Sequence, residues 1–153
     1  MKQNFKKVLV SLTLCSIFSV PVVSQAMFNS ELAYNPNYRP TYFGMGSEQY
    51  VDISSVYTIE NSANKWRFDV NMFSSREDSG IISSTYTVKC EINKKNRTAR
   101  VNYGRGWKNV NFTNPNHSES SAVNIVNFCY AYFFGEYLHN NQCTYNMGQY
   151  YKG

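Results

Sequence analysis

Residues 82–92 alternate with a period of two. Ile82, Ser84, Tyr86, Val88, Cys90 and Ile92 fall on one side of an extended chain, and Ser83, Thr85, Thr87, Lys89 and Glu91 on the other. That period, in a stretch rich in β-branched and aromatic residues, specifies a half-buried strand. It also aims Cys90 into the core, so a second element must pack on that face.

The same alternation recurs on both sides of this stretch. In residues 65–73, Trp66, Phe68, Val70 and Met72 share a face opposite Lys65, Arg67, Asp69 and Asn71. A strand with one wet face belongs to an antiparallel sheet. Residues 49–56 alternate through Val51, Ile53 and Ser55, and Asp52 followed by Ser54 and Ser55 suits a side-chain-to-backbone bend. Asn93-Lys94-Lys95-Asn96 links the central strand to residues 97–103 as a hairpin, and Gly104-Arg105-Gly106 leads to one more short strand over 107–112.

The period changes after Pro115. Ala122, Val123, Ile125, Val126, Cys129, Tyr130 and Phe133 recur at three- and four-residue steps, predicting a helix over about 118–134. Ser118 is its expected N-cap, Glu119 suits its first turn and Gly135 its end. The expected fold is α+β: an antiparallel meander of about five strands with one C-terminal helix on one face.

The organisation at the ends follows from composition. Lys2, Lys6 and Lys7, an apolar run to Val23 and then Ser24-Gln25-Ala26 have the layout of a secretory signal peptide over residues 1–26. The run is short for a membrane span, so no stable span is expected after cleavage. Residues 27–48 hold Asn35-Pro36, Arg39-Pro40, Gly44 and Gly46 among aromatic residues and read as an irregular lead-in. Residues 49–135 form a single domain, and 136–153 a C-terminal tail. The chain carries fifteen basic and ten acidic residues, a net +5. Three of the lysines sit in the signal peptide, so the exported chain is nearer +2 and has no basic stripe for nucleic acid.

Export implies an oxidising compartment, so the cysteines beyond the signal peptide, Cys90, Cys129 and Cys143, are expected to pair, with one left over. Cys90 and Cys129 both project from inward faces. A bond between them closes a long loop, worth roughly 4 kcal/mol in the chain-entropy model. Pairing of Cys129 with Cys143 is the competing choice, and the entropy difference between the two loops is small. The residue left unpaired is free or links two chains.

Catalytic patterns are sparse. The two histidines are His117 and His139, and His139 lies four residues from Cys143. A Cys–His nucleophile pair is conceivable there, but an exported thiol near a histidine is more often an unpaired or disulfide cysteine. The histidines and cysteines lack metal-ligand spacing, there is no phosphate-cradling glycine pattern and no serine elbow, and no cofactor is expected.

Tyr50-Val51-Asp52-Ile53-Ser54-Ser55-Val56, the alternating residues 67–72, Ser83-Ser84 with Val88-Lys89-Cys90, and Arg97 with Arg100 together resemble the surface-adhesin protein E-like domain of bacterial exported proteins. The resemblance covers roughly residues 48–130. It implies an antiparallel sheet whose C-terminal helix is tethered by a disulfide, here Cys90–Cys129. Cys143 is then free or joins two chains in a disulfide-linked dimer. It also implies a non-catalytic domain that binds host or envelope proteins, located in the periplasm, on the cell surface or secreted. The alternative function class is a periplasmic or secreted enzyme or enzyme inhibitor.

Overall fold

The computed structural model describes residues 32, 34–44, 46–76, 79, 81–116 and 119–139. Six strands follow one another: β1 (Tyr38–Gly44), β2 (Ser47–Asn61), β3 (Lys65–Arg76), β4 (Ile82–Asn93), β5 (Thr98–Asn102) and β6 (Trp107–Asn109). They form one antiparallel sheet in the order of the sequence. The helix α1 (Ser120–Phe134) comes last. The fold is therefore α+β, with six strands where about five were expected.

The additional strand is β1, which replaces part of the expected irregular lead-in. Pro40 and the neighbouring glycines mask its pattern. Proline is tolerated because β1 is an edge strand, and the ladder to β2 shifts between Pro40 and Tyr42.

The alternation in β3 places Trp66, Phe68, Val70 and Met72 inward, all fully buried. They meet Val51 and Ile53 of β2, Val88, Cys90 and Ile92 of β4, Ala99 and Val101 of β5, and Ala122, Ile125, Val126 and Cys129 of α1. Trp66 stacks on Phe68 at 4.0 Å and donates its indole N–H to Thr58 Oγ1 at 3.1 Å. Phe133 and Phe134 close over the same ring at 5.1 and 5.0 Å.

The helix is buried on every side from Ser120 to Tyr130 because the sheet curls around it. Its buried polar residues are bonded to their surroundings. Ser121 Oγ contacts Thr41 Oγ1 and Gln49 Oε1 at 3.2 and 3.1 Å, and Asn124 Nδ2 donates to the Thr41 carbonyl at 2.9 Å. The largest register shift of the sheet lies in β2. Between Asp52, opposite Asn71, and Tyr57, opposite Asp69, four β2 residues face only Val70. The corner is held as Asp52 and the serines suggest. Asp52 Oδ1 accepts from the Ser54 amide at 3.0 Å, and Ser55 Oγ donates to the Asp52 carbonyl at 2.7 Å. Ser55 Oγ also accepts from the Asn71 amide at 2.8 Å, replacing a ladder partner that the kink removes.

The start of α1 differs in detail from the expectation. Ser118 lies outside the described residues. The N-cap of the helix is Glu119, whose side chain makes no bond into the helix. That side chain instead closes the turn before the helix: the Glu119 amide donates to Asn116 Oδ1 at 3.0 Å, and the Asn116 amide to Glu119 Oε2 at 2.9 Å. The far end is as expected, with Gly135 at φ 74° and its N–H on the Ala131 carbonyl.

A smaller cluster covers one end of the outer face. Tyr50 stacks on Phe73 at 5.2 Å, Tyr38 meets Phe73 edge-on at 4.8 Å, and Leu32 and Phe43 pack against them. Beneath these rings the buried Glu48 accepts from Tyr50 Oη at 2.6 Å and from Ser75 Oγ at 3.3 Å.

Candidate binding surface

The residues singled out for chemistry do not assemble into a reactive site among the described residues. Cys90 and Cys129 both lie in the main core, as the strand and helix patterns predict, but the expected bond between them is not formed in this structure, where both are free thiols. Burial pushes the Cys90 thiol well up, with the proximity of Cys129 and Asp69 adding to it, and burial alone pushes Cys129 up. Neutral, desolvated thiols are poor nucleophiles. His117 and Cys143 lie outside the described residues.

His139 has a structural environment. Its ring stacks on Phe112 with centroids 3.9 Å apart, its Nε2–H donates to the Arg97 carbonyl, and its backbone N–H donates to Asn127 Oδ1 at 3.2 Å. Among the described residues, no group of three His, Cys, Asp or Glu is placed to hold a metal ion. No described helix is long and apolar enough to cross a membrane.

The organised polar surface is the outer face of β2–β6, opposite the helix. Strand register lines its side chains into two adjacent rows. One runs Glu60, Arg67, Glu91, Arg100, Asn109; the other runs Tyr57, Asp69, Lys89, Asn102, Trp107. At about 4.8 Å between strands, each row spans roughly 19 Å. The rows hold three acids and three bases, so this face is neutral and alternates in sign.

Glu91 sits at the centre of the first row, its side chain 19% exposed. Arg100 grips it from β5, with Nε 2.9 Å and Nη2 2.8 Å from Oε1. From β3, Arg67 Nε stands 3.4 Å from Oε2, close enough for an ion pair but outside hydrogen-bonding geometry. The Arg100 guanidinium also lies 4.9 Å from the centroid of the Trp107 ring. Thr87 Oγ1 bonds Asn71 Oδ1 at 2.9 Å beside the second row.

Two exposed aromatic residues bracket this surface. Tyr57 is 71% exposed and Trp107 37%. Sequence alternation identified the wet face of β3 and β4, but not the rows. Their composition depends on the β2 kink, which brings Tyr57 opposite Asp69, and no local pattern announces that register. No family model matches the chain, and no curated protein or solved structure is significantly similar to it.

Proposed function

We propose that this chain is an exported, non-catalytic bacterial domain that binds another protein through the outer face of its sheet, in the manner of an adhesin. The observation that carries this reading is the pair of cross-strand rows bracketed by Tyr57 and Trp107. Neutral alternation disfavours a polyanion, which needs concentrated positive charge, and suits a polypeptide surface of mixed charge. Rigid aromatic residues at both margins supply contact area at low entropic cost, and arginines held in place by Glu91 lose little freedom on binding. The signal-like segment over residues 1–26 and the resemblance to the protein E-like domain support export and partners among host matrix or cell-envelope proteins.

Surface capture of purified matrix proteins and envelope fractions by the immobilised protein tests the proposal. Tyr57→Ala with Trp107→Ala is expected to weaken capture at least tenfold while leaving the fold intact. Equal capture by the variant would move binding off this face, and failure to capture any of these proteins would remove the adhesin reading.

A further inference from the structure

Strand β4 is only partly paired on its β5 side. β5 covers Lys89, Cys90, Glu91, Ile92 and Asn93, and the chain then leaves the ladder at the Asn102–Gly106 turn, where the Gly104 and Gly106 amides bond Asn102 Oδ1. On the β3 side, β4 continues as far as Ile82. Among the described residues, nothing pairs with the other edge of residues 82–88. Five of the first six of these residues are exposed, Tyr86 being half-buried. Residues 82–85 therefore lie outside the helix-covered core, Tyr86 packs against it and Val88 lies in it, and the edge of this stretch is an open row of backbone donors and acceptors.

Exposed edges of this kind are normally blunted by charge, proline or a strong bulge. Here residues 81–88 carry no charge and no proline. One irregularity falls at Ser83, between the positions opposite Ser74 and Ser75, and residues 84–88 run in regular register. The composition (serine, threonine, tyrosine and valine) has high strand propensity.

We infer that this edge pairs antiparallel with the same edge of a second copy of the chain. An antiparallel pair of identical strands is related by a two-fold axis, so one residue lies opposite itself and the contact closes on itself. Lys89 is already paired with Asn102, which limits the free stretch and places Thr85 at the axis. Ser84 then faces Tyr86 of the other copy, and Ser83 faces Thr87. Hydroxyl and β-branched residues are favourable cross-strand neighbours. The absence of charge is what makes the edge compatible with itself, because a charged edge opposite its own copy repels. Pairing continues the sheet from one copy to the next and sets two outer faces side by side. This rests on the proposed binding role of that face, since two faces raise avidity without new contacts, but the pairing itself does not depend on that role.

The test is mass in solution under reducing conditions, which removes any contribution from Cys143. Sedimentation of the protein is expected to show a concentration-dependent dimer. Thr85→Lys and Thr85→Glu each place like charges at the axis and are expected to be monomeric alone. Their equimolar mixture is expected to regain the dimer mass through the opposite-charge pair. In the unsubstituted protein, amide exchange at residues 83–87 is expected to slow as concentration rises. A protein that stays monomeric at its highest soluble concentration overturns the inference. So does a dimer that Thr85→Lys leaves intact, or exchange at 83–87 that ignores concentration. None of these readouts involves the binding partner, so they stand apart from the capture test.

Discussion

Arg97 and His139 are joined in both directions. The His139 ring donates to the Arg97 carbonyl, and the Arg97 side chain reaches the two residues before His139, with Nε on the Leu138 carbonyl and Nη2 on the Tyr137 carbonyl, each at 2.6 Å. Arg97 does this from a left-handed backbone, φ 52°, in the β4–β5 hairpin. Glycine normally takes such a position, so the arginine accepts a backbone cost in order to hold the segment that follows the helix. Arg97→Gly should relieve the turn yet lower stability, by about 1–2 kcal/mol net, because two charged-donor hydrogen bonds are lost. Urea unfolding measures the loss. Faster amide exchange at His139, with unchanged exchange in β4 and β5, would assign it to the latch and not to the hairpin.

Trp66→Ala should be the most damaging single change in the core, costing about 3–5 kcal/mol. Trp66 is fully buried and touches both the sheet and the helix end through Phe68, Phe133 and Phe134. Trp66→Phe should recover part of this, leaving Thr58 Oγ1 without its indole donor. Thermal or urea unfolding of the two variants checks the order.

Glu91→Gln should change stability by about 1 kcal/mol or less, since its arginine partners are partly exposed, 39% and 45%, and the pairs are screened by solvent. It should nevertheless weaken partner capture, because both arginines lose the group that fixes them. A stability loss large enough to explain the loss of capture would argue against this division of roles.

The reduced protein should lose stability in alkali. Folding raises both thiols above their ordinary 9.0, chiefly by burial. Unfolding then releases protons once the pH passes that value, so stability is complete below about pH 9 and falls above it. The slope is about 1.4 kcal/mol per pH unit for each thiol. If the chain is exported as proposed, we expect it instead to carry the Cys90–Cys129 bond, which abolishes this slope. Non-reducing peptide mapping decides the pairing: a Cys129–Cys143 peptide, with Cys90 alkylated only after unfolding, would rule the helix tether out.

Much of the fold was legible in local periodicity. Trp66, Phe68, Val70 and Met72 alternate strictly, and each is buried. The step from two-residue to three- and four-residue spacing after Pro115 marks α1, and Gly135 marks its end. What escaped depends on contacts made at a distance. β1 is a strand only because β2 pairs with it, and Pro40 argues locally against one. The N-cap is Glu119, held in a reciprocal pair with Asn116, whereas Ser118 offered the simpler local signal. The outer rows are set by ladder register, which no single strand contains. His139 was legible as a residue of interest through its nearness to Cys143 in sequence, whereas its contacts with Arg97 and Phe112 cross about forty and twenty-seven residues of chain.

The corner in β2 has a further implication. Asp52, Ser54 and Ser55 hold the kink with bonds that close within four residues, and two links tie it to its neighbours, the Asn71 amide to Ser55 Oγ and the Ile53 amide to the Asn37 carbonyl. The largest step in the β2 ladder is therefore held at one short spot, with smaller shifts at Pro40/Tyr42, Thr58/Glu60 and Ser74/Ser75 elsewhere in the sheet. Lengthening or straightening that spot is a route by which such a chain accommodates a thicker or thinner helix without redesigning its strands, and with the new radius it would also re-space Tyr57 and Trp107 on the outside.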